Sequence, residues 1–418
     1  MPSYIYIVIF TEIFLVCATI LSLPCNDKSK NLIFQISFAL TFFVVAIKYY
    51  FSSDISTYVP HFENLSSLPH LTIKEIKECH FEPGYTIFCS IIKTFGFSFW
   101  MMTATITILL MHSLYGLLKL VPQYRTIGLM IFFIIGWDLL LQQYRQALAV
   151  AFFFYAIANF ANGKSPVKTL ALSLISCFFH NSAIFLVLPF IICSGLCTTT
   201  PRIKRSAFVL LFIIFIVSLF TNLGWIVEQF AKSMDLSATE KYSLSYHFGT
   251  SKVTQSIILL YLSIYLILSI LHEDRTDRIT LTFRFITYIG LAYIALFYKY
   301  HLFTNRFSNY FAIIALLYSL DLLRYNLKGK HVNCKLAYQF LSLMIIFFSV
   351  YKVLPQALIL PESVLYKNTP TVLSTIFLNE SETKRLQQEQ MEKAAYFWNN
   401  ELSGMYDNSA KSFNFSNK

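Results

Sequence analysis

Apolar stretches recur along nearly the whole chain, parted by short polar turns. They predict about twelve spans, near 4–22, 32–50, 97–118, 127–141, 145–161, 167–179, 182–196, 206–223, 253–271, 281–298, 307–321 and 336–354. A helix that crosses bilayer hydrocarbon needs roughly 20 apolar residues. Several of these are shorter, and the pairs meeting at Arg145 and at His180 are the shortest. Short spans that meet at a polar turn are what a recessed cavity needs. Residues 83–96, PGYTIFCSIIKTFG, read differently, because Pro83-Gly84 signals a turn or helix start and Lys93 and Gly96 spoil a clean crossing. They predict a re-entrant or interfacial amphipathic helix, which must pack on protein. After 355 the chain turns polar, with ESETKRLQQEQMEKAAYFW as a surface helix and a last dozen residues of disordered composition. The expected fold is all-α: one transmembrane domain over 1–354 with external loops near 51–96 and 224–252, then a polar tail over 355–418.

Composition agrees with a membrane solvent. Of 418 residues, 56% are hydrophobic and 13% charged, with a mean hydropathy of +0.57. The 42 Phe and 26 Tyr suit lipid-facing and interfacial surfaces. A net charge of +11 raises the question of nucleic acid, but the basic residues sit in short turns between spans. Positive charge there retains a loop in the cytoplasm, so no nucleic-acid partner is implied. The eight Cys are scattered singly, several inside apolar runs (Cys17, Cys89, Cys177), where Cys is a small hydrophobe. Neither a disulfide framework nor a zinc site follows from that spacing.

The basic turns also set the orientation. Lys28/Lys30, Lys119/Arg125, Lys164/Lys168, Arg202/Lys204/Arg205, Arg275/Arg278 and Arg324/Lys328/Lys330/Lys335 fall on one side of a twelve-span chain. That side is the cytoplasmic one. The 272–278 turn departs from the pattern, since Glu273, Asp274 and Asp277 outnumber its two Arg. The other side receives the 51–84 loop, the Arg145 and His180 corners, the 224–252 loop and Arg306, and both termini lie there too. In the 51–84 loop Asp54, Glu63, Glu75, Glu78 and Glu82 outnumber Lys74 and Lys77, so the loop lacks the retention signal.

Candidate chemistry gathers on the external side. Arg145 opens an apolar helix where positive charge is under-represented, and His180-Asn181 interrupts another apolar run. If one helix descends and the next climbs back, the two corners share a side. An ionisable group at such a place faces a protein or water-filled cavity as a rule. The alternative is an arginine that snorkels from a helix end. Asp138, Gln142 and Arg145 would share a face if helix continued across the corner. An external Arg in a polar nook suits phosphate, because its planar fork donates paired hydrogen bonds to an oxyanion. Arg306, in HLFTNRFSNYF, opens another apolar span on that side, which makes a two-arginine pyrophosphate clamp possible, against a plain pairing with an acid. His180 either binds a sugar or phosphate and moves a proton, or is a hydrogen-bonded turn residue with Asn181. Asp54, Tyr58, Glu82 and Tyr85 offer carboxylates beside aromatic rings, the usual lining of a sugar site. There is no DxD pair, P-loop or His/Cys cluster, so no metal or nucleotide cofactor is implied.

Five pieces together resemble the EpsG-like family of Wzy-type bacterial polysaccharide polymerases. They are SSDISTYVPHF (52–62), FEPGYTIFCSIIKTFG (81–96), QQYRQALAVAFFFYAIANF (142–160), ISCFFHNSAIFLVLPF (175–190) and NRFSNYF (305–311), in family order. Ser53-Asp54 stands where the family often has a glycine-containing run before the acid, and the long polar tail is outside the pattern. The resemblance implies a multi-pass enzyme of the bacterial inner membrane that joins oligosaccharide repeat units carried on undecaprenyl diphosphate into O-antigen, capsule or exopolysaccharide. It would act at the external face without a cofactor, beside the lipid bilayer and a chain-length regulator protein. Arg145 and Arg306 would stabilise the diphosphate leaving group. Asp54, Glu82 or His180 would orient or deprotonate the acceptor hydroxyl, with Tyr58, Tyr85, Gln142 and Asn181 around the substrate. Rival readings are a lipid-linked oligosaccharide flippase or other transporter, an O-antigen ligase-type glycosyltransferase and an acyltransferase. A transporter built from repeated halves would carry a polar track through mid-membrane, whereas the unusual polar residues here cluster at one face.

Overall fold

The structure, a computed structural model, describes residues 3–23, 25–79, 81–197, 275–297, 301–328, 365–375 and 378–397, with isolated residues between. The predicted spans 206–223, 253–271 and 336–354, the 224–252 loop, the basic turn at 202–205 and the end of the tail lie essentially outside them. Among the described residues the chain is all-helical, with an isolated β-bridge between Lys48 and Thr371. It divides into two compact units, Met1–Val187 with Ile346–Asn399, and Leu188–Ile345 with Asn400–Lys418.

The first unit opens with α1 (Tyr4–Ser22) and α2 (Asp27–Ala46). Asn26 caps α2 by accepting from Ser29 N at 3.0 Å, which satisfies one of the donors a helix start leaves open. Three short helices follow on the loop side, α3 (Ile55–Asn64), α4 (Ile73–Glu78) and α5 (Pro83–Thr94). Pro83 sits at the first helical position of α5, where its missing N–H costs nothing. The other end of α5 closes as a Schellman turn: Phe97 N donates to Ile92 O, Gly96 N donates to Lys93 O, and Gly96 takes φ +71°. Lys93 turns back and donates to the carbonyls of Glu63 and Leu65 at the end of α3. The 83–96 segment is thus a 12-residue helix bound to protein at both ends.

The long helix α6 (Phe99–Leu118) leads to α7 (Arg125–Ile135) and α8 (Trp137–Leu141). The single span expected at 127–141 is therefore two helices, broken at Gly136. Then come α9 (Tyr144–Ala161) and α10 (Pro166–Phe179), an antiparallel hairpin turned at Gly163, whose φ is +68°. Asn159 Nδ2 holds that turn by donating to Ser165 O and Thr169 Oγ1, both at 2.8 Å. Toward the open end of the hairpin, Ser176 Oγ donates to Ala149 O at 2.7 Å, so small residues let the two backbones approach. A 3-10 turn, Asn181–Ala183, leads into α11 (Ile184–Cys197).

The second unit contains α12 (Arg278–Phe297) and α13 (His301–Lys328), numbered in order of the described helices. They pack closely at Gly290, where an added Cβ would collide with the Phe311 ring. The expected span 307–321 extends by about a turn and a half or more at each end, which puts Arg306 inside the helix and not at its start. In the tail, α14 (Val372–Thr375) precedes α15 (Glu380–Tyr396), which starts on a capping box between Asn379 and Glu382. Among the described residues five helices are long and apolar enough to cross a membrane: α1, α2, α6, α12 and the 304–327 part of α13. Shorter apolar helices include α10.

Candidate functional site

Four segments of the first unit converge where α9 begins and α10 ends. Helix does not continue across the corner before Arg145, since Gln142 N and Gln143 N both donate to Asp138 O and α9 restarts at Tyr144. Asp138, Gln142 and Arg145 therefore do not line one helix face. The break turns the Arg145 side chain toward the 51–84 loop. There Arg145 Nη1 donates to Glu82 Oε2 at 2.6 Å and Nε donates to the Tyr58 hydroxyl at 3.3 Å. The guanidinium lies 4.7 Å from the centre of the Phe81 ring, a cation–π contact. Glu82 is nearly enclosed, at 8% side-chain exposure against 22% for Arg145. Its other oxygen, Oε1, accepts from Asn181 N at 3.3 Å. One carboxylate thus joins the start of α9 to the corner after α10.

The backbone makes this junction possible at Gly84. A Cβ there would sit 2.6 Å from Phe178 O, a contact no side chain tolerates. Only glycine lets the start of α5 come this close to the end of α10, and that approach brings Glu82 to Asn181.

Beneath the ion pair lies an aromatic floor. Tyr58 stacks on Phe81 with centroids 5.2 Å apart and meets Tyr85 and Tyr144 at 5.6 and 5.1 Å. Tyr85 is fully buried and its hydroxyl donates to Met102 Sδ at 3.6 Å. It packs against Tyr58 as part of the core beneath the ion pair. Burial holds the Tyr58 hydroxyl above its ordinary pKa, with Arg145 pulling the other way. His61, edge-on to Phe81 at 4.6 Å, is pushed down to about 4 by burial first and by the Arg145 charge second. It stays neutral beside the arginine.

His180 is 7% exposed and caps the 3-10 turn: its Nδ1 accepts from Ser182 N at 3.1 Å and lies 2.7 Å from Ser182 Oγ. Accepting at Nδ1 puts the proton of the neutral ring on Nε2, so this tautomer offers a donor there and no base.

A second polar cluster adjoins the first. Asp54, partly exposed at the start of α3, accepts from Ser53 Oγ at 3.2 Å, and its own N–H donates to Ser52 Oγ at 2.9 Å. Ser53 Oγ also lies 3.4 Å from Gln142 Oε1, and Gln142 Nε2 donates to the Tyr366 hydroxyl at 3.0 Å. The two clusters share α3 through Asp54 and Tyr58, and share the corner before α9 through Gln142 and Arg145.

Arg145, Glu82, Tyr58 and Asn181 thus meet, Asn181 through its backbone N–H. Asp54 and Gln142 meet beside them, with His180 next in chain to Asn181. Arg306 stands in the second unit, half-buried on α13. Sequence reasoning missed Ser53, Phe81, His61 and Tyr366. For Phe81 the signal was its place beside Glu82; for Tyr366 no local pattern exists. Among the described residues no group of three or more His, Cys, Asp or Glu comes together to hold a metal.

Neither a curated protein nor a solved structure matches the chain. The model of the EpsG family matches residues 31–362, a range that holds both polar clusters except for Tyr366. The chain belongs to the EpsG family, a family of exopolysaccharide, Wzy-like polymerases.

Proposed function

We propose that the protein is a polysaccharide polymerase that joins oligosaccharide repeat units carried on undecaprenyl diphosphate, at the external face of a bacterial inner membrane. The observation that carries the reading is the Arg145–Glu82–Asn181 junction, a partly buried, oriented arginine at a helix corner in a chain of this family. Nε and Nη1 of Arg145 are spent on Tyr58 and Glu82, while Nη2 donates to no described residue. That edge is the one a phosphate oxygen would take. The ion pair supports this, because a carboxylate partner offsets the desolvation of a partly buried guanidinium before substrate arrives.

In the reaction the acceptor hydroxyl of one unit attacks the anomeric carbon of the lipid-linked chain. The new glycosidic C–O bond forms as the bond to diphosphate breaks, and the electron pair leaves with the diphosphate. Arg145 stabilises that developing charge. The hydroxyl proton goes to Asp54, whose carboxylate is more open than that of Glu82. The His180 tautomer favours a donor role, toward a sugar or phosphate oxygen. Tyr58 and Phe81 form the floor.

The external orientation draws support from the first unit. Its polar corners near 47–58, 82, 142–145, 180–182 and 366–372 are linked by hydrogen bonds. The basic turns fall at opposite helix ends, where Arg125 Nη1 donates to Asn31 Oδ1 at 3.1 Å. The twelve-span topology with both termini outside stays part of the proposal. Gene deletion tests it. The expected result is single repeat units on the final acceptor with longer chains lost; units trapped at the cytoplasmic face with no capped single unit would point to a flippase instead.

A further inference from the structure

The tail does not hang free of the first unit. Val372 N donates to Ile47 O at 2.9 Å, Thr371 bridges to Lys48, and Gln387 Nε2 on α15 donates to the Tyr49 hydroxyl at 2.7 Å. At the start of the chain, Tyr4 N donates to Thr369 O, while Ser3 Oγ donates to Tyr366 O, each within 2.9 Å. Between these anchors Asn368 turns the chain at φ 56°, a left-handed conformation asparagine tolerates well. The turn drives Tyr366 inward. Its ring stacks on Phe51 at 5.0 Å and meets the Trp137 edge at 6.5 Å, and its hydroxyl accepts from Gln142 Nε2.

Two segments carry the second polar cluster. One runs from Ile47 to Asp54, passing Tyr50 at φ 49°, a backbone an aromatic residue holds only when its surroundings over-determine it. The other is α8 with the corner after it, ending in Gln142. The tail grips both, the first through backbone pairing and Phe51, the second through Trp137 and Gln142. The residues that make these contacts, from Tyr366 on, lie just past the family match at 31–362.

We infer that residues 365–372 form a strap that fixes the acceptor side of the site, with Tyr366 as a positioning residue that acts on Asp54 through Gln142 and Ser53. The inference rests on the proposed polymerase reading for its effect on chain growth, but not for the strap itself. Tyr366 is enclosed, at 8% exposure, so it touches no substrate. It sets where Gln142 and the Ser53–Asp54 step stand when the acceptor hydroxyl arrives. The Arg145 side of the site has its own anchors in Glu82 and Tyr58 and does not depend on the strap.

Two measurements on the full chain test this. The first uses Ser53→Cys in a cysteine-depleted background, labelled from outside with a membrane-impermeant maleimide. Ser53 is 7% exposed, so Tyr366→Ala should raise its labelling rate about tenfold as the segment opens locally. The second is the glycan length ladder in cells at matched protein levels. Tyr366→Phe keeps the ring and loses only the hydroxyl, and should reduce extension about three- to tenfold, the worth of one net hydrogen bond. Combined with Gln142→Leu it should add no further loss, because the partner is already gone. An unchanged labelling rate in Tyr366→Ala overturns the strap. Losses that multiply in the double variant overturn the positioning role and leave Tyr366 a packing residue. A wild-type ladder in every variant, Arg145→Ala included, sinks the polymerase reading while the labelling still decides the strap.

Discussion

Two arginine–carboxylate pairs in this protein are near twins. Arg145 Nη1 meets Glu82 at 2.6 Å with Phe81 4.7 Å from the guanidinium; Arg275 Nη1 meets Asp321 at 2.6 Å with Tyr325 at 4.5 Å. The arginines are 22% and 21% exposed. What differs is the surroundings. Arg275 closes its own hairpin: its carbonyl accepts from Arg284 Nη2 at 2.8 Å, and Asp321 lies on α13, the helix packed against α12. Glu82 instead ties together three segments remote in sequence, and Asp54, Gln142 and His180 stand around the same junction. Ion-pair geometry alone therefore says nothing about function. The company the pair keeps is what separates a hairpin clasp from a site.

The largest contrast should come from removing each arginine. Arg145→Ala is expected to stop chain extension with protein levels held, a loss of about a hundred- to thousand-fold for a charged donor that acts on the transition state. Arg275→Ala should leave the length ladder intact and lower only thermal stability in detergent. Equal effects on the ladder would erase the distinction. Next comes Asp54→Asn, which keeps the shape but cannot take a proton; the expected loss is about a hundredfold, the low end for a general base. His180→Gln, which keeps a hydrogen bond, should retain much of the activity. The reverse order would move the base to His180.

Gly84→Ala sharpens the comparison from the backbone. The new Cβ collides with Phe178 O, so the start of α5 must move off α10 and draw Glu82 from Asn181. Overpacking of this kind costs about 1–3 kcal/mol, read as a lower melting temperature together with shorter chains. Gly290→Ala in the second unit should give the melting shift by the same overpacking and spare the junction. The smallest effect concerns His61, whose pKa falls to about 4 in the folded chain from an unfolded value of about 6.5. The unfolded state then binds more protons between these values. Stability should be full above pH 6.5, fall as pH drops toward 4, and level off below it. His61→Phe should flatten that slope in a pH series of melting curves.

Much of the first unit was legible because its ionisable residues are costly in apolar sequence. Arg145, Glu82 and His180-Asn181 stand out on that ground alone, and Pro83 and Gly96 mark both ends of α5. The break at Gly136 was hidden, since 127–141 is apolar throughout and periodicity cannot see a residue that only changes direction. The ends of α13 were missed for the opposite reason: helix continues through polar residues wherever the backbone can keep its hydrogen bonds. Tyr366 was beyond reach. Its contacts with Ser3 and Gln142 join residues 363 and 224 positions apart, and nothing in a polar tail announces which aromatic will turn inward.

In the proposed reaction Arg145 works as an oriented fork and not as a positive charge at a helix end. Arg145→Lys tests it most directly, because lysine keeps the charge and the snorkelling stem but loses the planar set of donors. Measured as the ladder of glycan lengths at matched protein level, Arg145→Lys is predicted to yield single repeat units with little or no extension. A wild-type ladder from Arg145→Lys would contradict the account and return Arg145 to the status of Arg275, a cation that holds its own corner together.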